Sequence, residues 1–395
     1  MVRRSLLTPW FVLVFASALA AELSSSLLVH FPGFLLELGA DELRVGLVVG
    51  VAGVASILVR PWLGRIMDLH SRRLLIRLGT LSVAIATLMY AWSEQLGSMV
   101  IGARLLQGLG QAMAYTAFWT YIADRFPAQQ RAYGMALFGI SGLLPLGVAP
   151  AMGDLILRTS LGYRGLFVIA AGFSLLAFAL ALTLERSGVT TGATTTGFRA
   201  VLVSRELRPV WMATVALSLG FTTAFVFIKT YVTTTGLGSV GPYFTSWAAA
   251  AIVWRLAFGW VPDRVGPRRM VFPGLAAYAA GLAGVGLIGG VPGLVVGGLL
   301  AGVGHGISYP VILTLATIRS GEGDRGTATA TFTALFDLVL FAAAPLLGAL
   351  IGWLGYRIMF GLVSLTLVAG AVIVSRPLNL RLYDPKGPLS DPFGS

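Results

Sequence analysis

The sequence predicts an all-α integral membrane protein in which twelve membrane-spanning helices form two six-helix bundles related as a parallel repeat. Three observations carry this. Of 395 residues, 56% are hydrophobic and 11% charged, against roughly 25% charged in a soluble globular domain. Apolar runs of roughly 20 residues, the length a helix needs to cross the hydrocarbon core, recur along the whole chain. A set of residues in the first half also returns in the second at nearly constant spacing. The 50 glycines fit the same class, because small residues let helices in lipid approach closely.

Apolar runs bounded by charged residues or by Gly and Pro place spans near 8–32, 45–67, 74–92, 98–122, 132–157, 165–184, 209–232, 242–262, 271–289, 292–318, 327–352 and 358–375. Arg3 and Arg4 ahead of an apolar run ending Ala18-Leu19-Ala20 imitate a cleavable signal peptide. The run continues through Leu28, so it is read as a retained first span. The longest polar stretch, 185–208, is Thr/Gly-rich from Val189 to Gly197 and reads as a linker. The expected organisation is an N-terminal bundle (1–184), a cytoplasmic linker (185–208), a C-terminal bundle (209–376) and a cytoplasmic tail (377–395).

The formal net charge of +12 is explained by where the charges fall on this map. Of 28 Lys and Arg, 20 lie on the side of the N-terminus, four lie opposite (Arg44, Arg158, Arg164, Arg357), and four lie inside spans (Arg60, Arg104, Lys229, Arg255). With the acids included the zones carry +11, −1 and +2. The positive-inside rule then places both termini in the cytoplasm of a multi-pass cell-membrane protein, and no nucleic-acid partner is needed. The chain has no Cys, and His30, His70 and His305 lack metal-site spacing. Neither a nucleophile–base cluster nor a G-x-x-x-x-G-K-[ST] phosphate loop occurs. An enzyme, a bound metal, a cofactor and ATP-driven work in cis are therefore not expected.

The repeat is the most informative feature. Arg60, Gly64 and Asp68 return as Arg255, Gly259 and Asp263, and Pro150 and Gly153 as Pro345 and Gly348, all shifted by 195. Gly108, Gly110 and Tyr115 return as Gly302, Gly304 and Tyr309, and Arg131 and Phe138 as Arg325 and Phe332, shifted by 194. Gly162-Tyr163-Arg164 with Phe167 returns as Gly355-Tyr356-Arg357 with Phe360, shifted by 193. Two parallel six-helix halves are the symmetry expected when bundles rock about a central site and give alternating access.

The loop after the second span reads Gly64-Arg-Ile-Met-Asp68-Leu-His-Ser-Arg72-Arg73, and its repeat reads Gly259-Trp-Val-Pro-Asp263-Arg264-Val-Gly266-Pro-Arg268-Arg269. Both are similar to the G-x-x-x-D-R-x-G-R-R signature of the major facilitator superfamily, which the chain resembles over nearly its whole length. The first copy departs at Leu69 and Ser71. An Asp at a helix end with a basic cluster behind it can latch a cytoplasmic gate at modest cost, so Arg60, Gly64, Asp68, Arg72, Arg73, Arg255, Gly259, Asp263, Arg264 and Arg268 are the candidate gating residues. The same positive charges also set topology.

In the fourth span, Arg104-Leu-Leu-Gln107-Gly108 resembles the family's R-x-x-Q-G motif, which the resemblance associates with proton-coupled members. An Arg inside a span needs an acid or a wet cavity. Glu22 lies ~21 Å above the start of the first span and Arg104 ~9 Å below the outer start of the fourth. In a ~30 Å core these depths coincide, so a Glu22–Arg104 pair is expected. Asp337, ~15 Å into the eleventh span, is taken as the other in-span acid; the resemblance implies that spans two and eleven face each other across the interface, which makes Arg60 its expected partner. Glu22, Arg104 and Asp337 are thus the candidate proton-coupling residues. His30, Gln107, Gln111, Tyr115, Lys229, His305 and Tyr309 are the candidate cavity residues, although packing or snorkelling to the interface accounts for several equally well. The fifth span, with Gly139, Gly142, Pro145, Gly147, Pro150 and Gly153, resembles the Gly/Pro-rich motif of the family's antiporters.

The expected function is secondary active transport by alternating access, as proton-coupled export of a small organic molecule or drug. The partners are that substrate, protons and the lipid bilayer, and the protein is read as a monomer. A proton-coupled importer of a polar metabolite, and from another class a non-transporting receptor, are the alternatives.

Overall fold

The computed structural model describes residues 8–69, 71–126, 134–135, 137–185, 198–320 and 325–375, with the backbone alone at 60–62, 64–69, 123, 263, 325–326 and 375. Among them, nine stretches are long and apolar enough to cross a membrane. The last of these holds two helices, broken at Gly355 (φ 77°). Ser98–Arg125 and Gly241–Phe258 bring the total to twelve spans. In order they are span 1 (Pro9–Glu37), span 2 (Glu42–Leu69), span 3 (Arg72–Ala91), span 4 (Ser98–Arg125), span 5 (Ile140–Leu157), span 6 (Gly162–Leu182), span 7 (Arg208–Thr234), span 8 (Gly241–Phe258), span 9 (Pro267–Ile288), span 10 (Gly290–Arg319), span 11 (325–354) and span 12 (356–375). The linker holds a short helix, Phe198–Val203, tied to span 7 by a Trp211 Nε1 hydrogen bond to the Val201 carbonyl (3.3 Å).

Local sequence explains the breaks that matter. Span 1 begins with Pro9 in its first turn after the extended Thr8, a position where the missing N–H costs nothing. It then tightens into a 3₁₀ turn at Leu28–His30. Pro32 cannot donate to the carbonyl four residues back, Leu28, and the break turns His30 inward, fully buried. Gly266 ends the helix Val261–Val265 at φ 95°, which favours glycine. The matching Ser71 sits at φ −64°, so the first copy of the loop motif has no need of glycine there.

Within each half the repeated glycines seat backbone on backbone. A Cβ on Gly108 would overlap the Ala52 carbonyl, and one on Gly302 the Trp247 carbonyl, so the 194-residue shift is a repeat of packing as well as of sequence. Close approach of this kind drives association where lipid supplies no hydrophobic force. Gly108→Leu and Gly302→Leu are each expected to cost about 1–3 kcal/mol through overpacking. Gly172→Leu, with open space around its Cα, should leave the thermal midpoint in detergent unchanged. Equal midpoints for all three would refute the packing account.

The halves meet at the end opposite the termini. Spans 2 and 11 run in contact there: Gly46 lies against Ala344, Gly50 against Phe341, Gly53 against the Asp337 carbonyl and Gly348 against Glu42. Spans 5 and 8 close the other flank, where Thr245 Oγ1 donates to the Gly147 carbonyl (2.8 Å). At the opposite end, Arg72 pairs with Asp124 (3.0 Å) and Arg125 with Glu185 (2.7 Å). Arg73 and Arg77 donate to the carbonyls of Leu184, Ala181 and Leu182, capping the C-terminal end of span 6 as cations do.

Candidate functional site

The two halves converge at mid-depth on a pair of symmetry mates. The hydroxyls of Tyr115 (span 4) and Tyr309 (span 10) stand 3.5 Å apart across the interface. Tyr115 is 39% exposed, so this layer is not fully packed. The half-buried Glu22 lies within charge range of the Tyr115 hydroxyl. One turn further along span 1, Ser25 accepts a hydrogen bond from Gln111 Nε2 (3.1 Å). Arg255 lies within charge range of both tyrosines and of His305.

The two walls differ in chemistry. The N-terminal half offers Glu22, Ser25, Gln111 and Tyr115. The C-terminal half offers an aromatic cage around His305, whose ring lies 4.8 Å from Trp247, 5.2 Å from Tyr309 and 5.7 Å from Phe221. Phe332 and Phe336 continue the cage against Tyr309, at 5.2 and 5.8 Å. Composition alone did not single out Phe221, Phe332 or Phe336, because aromatic residues on a span read equally as lipid-facing.

The expected Glu22–Arg104 pair does not form. Arg104, 7% exposed, donates Nη1 to Gln107 Oε1 (2.7 Å), and Nε and Nη2 to the Val49 carbonyl (3.3 and 3.2 Å). Its guanidinium lies 4.9 Å from the Phe31 ring, and Tyr90 completes the network by donating to Gln107 Oε1 (2.7 Å). The reason is depth. Span 1 reaches Glu37, so Glu22 lies about 15 residues, or ~22 Å, from its outer end, whereas Arg104 lies ~9 Å from the outer end of span 4. The two levels differ by ~13 Å. Arg104 therefore meets Phe31, and Glu22 meets Tyr115.

Asp337 accepts a hydrogen bond from Ser56 Oγ (2.6 Å), joining spans 11 and 2 across the halves. Arg60, Gly64, Asp68 and Asp263 are described in backbone alone, so the expected Arg60–Asp337 pair falls outside what is described. In the second loop copy Arg264 lies over the Trp260 ring (4.5 Å), and Gly259 follows the last turn of span 8.

His30 and Lys229 gather above this layer, just beneath the closed face. They meet around Asp154 of span 5, an acid that the sequence reading did not single out. Its signal was present in the sequence: it sits within the fifth apolar run, 132–157, next to Gly153. Lys229 is only 7% exposed, which excludes snorkelling to the interface.

This arrangement of parallel halves about a central polar layer recurs in known proteins. The chain matches the Major Facilitator Superfamily over residues 10–344 and 243–391. It is 26% identical to the MFS-type transporter YhhS of Escherichia coli O157:H7 over 395 aligned residues, covering 93% of this chain and 91% of that one. It is likewise 26% identical to YhhS of Salmonella typhimurium, with the same coverage. Among solved structures it superposes on a POT family transporter in complex with 5-aminolevulinic acid at a TM-score of 0.78 and 12% identity, covering 92% of this chain and 95% of that one. The nucleoside transporter NupG gives 0.78 and 13% identity, with 92% and 98% covered. At these identities the superpositions establish the fold alone. With the family match spanning nearly every residue, the doubled loop motif and the two-bundle architecture, the chain belongs to the Major Facilitator Superfamily, as a membrane transporter of small molecules and not an enzyme.

Proposed function

We propose that this transporter works by proton-coupled export of a small amphipathic organic molecule from the cytoplasm, where both termini lie. The observation that carries this reading is the asymmetric central layer. An aromatic cage on the C-terminal half faces Glu22, whose carboxylate has no cation within 4.0 Å among the described residues. The cage suits the apolar body of a substrate. A carboxyl group between the two walls can exchange a substrate contact for a proton. The Arg104–Gln107 network supports the proton-coupled reading through its motif, and the glycines and prolines of span 5 support export through theirs.

The experiment is flux in proteoliposomes under an imposed pH gradient, across a panel of organic cations, sugars and siderophore-like acids. An acidic interior facing the outer side of the transporter is expected to drive uptake of at least one amphipathic compound, with dissipation of the gradient on addition of that compound. Flux that ignores every imposed gradient would overturn the coupling and leave the fold untouched.

A further inference from the structure

The cluster under the closed face is built to hold two cations against one carboxylate. His30 (span 1) and Asp154 (span 5) belong to the N-terminal half, and Lys229 (span 7) to the other; all three are buried. Two glycines make the seats. A Cβ on Gly153 would overlap the His30 ring, and one on Gly33 would overlap Lys229 Cε and the Tyr163 hydroxyl. Asp154 Oδ2 accepts from Ser239 Oγ (2.6 Å) and from the Gly241 N–H (2.8 Å), both on the opposite half. Lys229 lies within charge range of the same carboxylate, beyond salt-bridge distance.

The hydrogen bonds fix the tautomer of His30. Its Nε2 lies 2.9 Å from the Pro150 carbonyl, which can only accept, so Nε2 carries the hydrogen and Nδ1 presents a lone pair. That lone pair faces Asp154 Oδ1 at 3.9 Å, and neither atom has a hydrogen-bond partner among the described residues. Two buried acceptors aimed at each other accommodate one proton between them, and that proton turns the imidazole into a cation beside Asp154.

We propose that His30 is a proton-binding site that unlocks the outer face. A proton arriving from the outer side at Nδ1 makes His30 the partner of Asp154, in place of Lys229. An attraction between halves is thereby exchanged for one within the N-terminal half, while the new cation repels Lys229. Asp154 loses its pull on the opposite half, and the contacts to Ser239 and Gly241 give way. Access is short: a cavity of about 350 Å³ on this side is lined by Glu37, Glu94, Tyr90 and Tyr163, and the Tyr163 hydroxyl reaches the Gly33 seat of Lys229. The titratable and charged groups facing His30 are Asp154 and Lys229; Tyr163 lies within charge range of Asp154, with Glu37 behind it. Glu42 accepts a hydrogen bond from Tyr356 across the same face (3.3 Å).

The inference goes beyond the proposed transport cycle and needs no substrate to test. The chain contains no Cys, so spin labels at Leu161→Cys and Leu287→Cys, exposed at outer ends of opposite halves, report the outer face alone in lipid nanodiscs. Between pH 8.5 and 5.5 the long-distance population should grow, the open-to-closed ratio rising by up to about tenfold per pH unit, the limit for one proton. His30→Gln, and independently His30→Asn, should remain closed and lose this component of the pH response. Lys229→Gln should favour the open state at every pH. A distance distribution that does not change with pH in the parent protein, or His30 variants that keep its pH profile, would overturn the proposal. Either outcome leaves gradient-driven flux through the central layer as a separate question.

Discussion

Glu22→Gln is expected to abolish gradient-driven accumulation while leaving a folded, membrane-inserted protein. Glutamine keeps the shape and the polar contact beside Tyr115 but cannot carry a proton. One proton moving down 100 mV supplies ~2.3 kcal/mol, which sustains a concentration ratio of about fiftyfold. The variant should reduce that ratio toward unity. Substrate-for-substrate exchange should persist, because it needs the aromatic cage and not a titrating group. The readout is accumulation against exchange in the same vesicles, with the thermal midpoint as a control for folding. A variant that still accumulates substrate to the parental ratio would remove Glu22 from the coupling scheme.

Arg104→Lys is expected to be nearly as damaging, for a different reason. The guanidinium makes three hydrogen bonds to two acceptors and lies over Phe31, a planar fork that a lysine ammonium cannot reproduce. Hydrogen bonds to charged groups contribute about 1.5–3 kcal/mol each, so losing part of the fork should lower stability by about 2 kcal/mol and flux by about tenfold or more. Because the network joins spans 1, 2, 3 and 4 above the central layer, exchange and gradient-driven flux should fall together. That separates this variant from Glu22→Gln, which should spare exchange. Parental stability and flux in Arg104→Lys would show that the motif acts only as a positive charge.

Twelve spans were legible in the chain because lipid imposes a long apolar run on every crossing helix. The repeat was legible because its residues serve backbone geometry: Gly108 and Gly302 seat neighbouring carbonyls in the same way in each half. Spans 4 and 8 are legible in the same way, because Arg104 and Arg255 each interrupt an otherwise apolar run. Depth was not legible. Measuring from the edges of apolar runs placed Glu22 level with Arg104, whereas helices of 29 and 28 residues overshoot the core and set them ~13 Å apart.

The fold class, the repeat and the short supply of charged residues inside the spans all follow from local composition or from spacing along one chain. Partnership was decided by the tertiary structure. Which side chains meet depends on the tilt, rotation and length of separate helices, and none of these is set by a residue's neighbours in sequence. Packing put Tyr115 opposite Tyr309 and gave Arg104 neutral acceptors in place of an acid. It also drew Asp154, which the sequence reading passed over, under the closed face between His30 and Lys229.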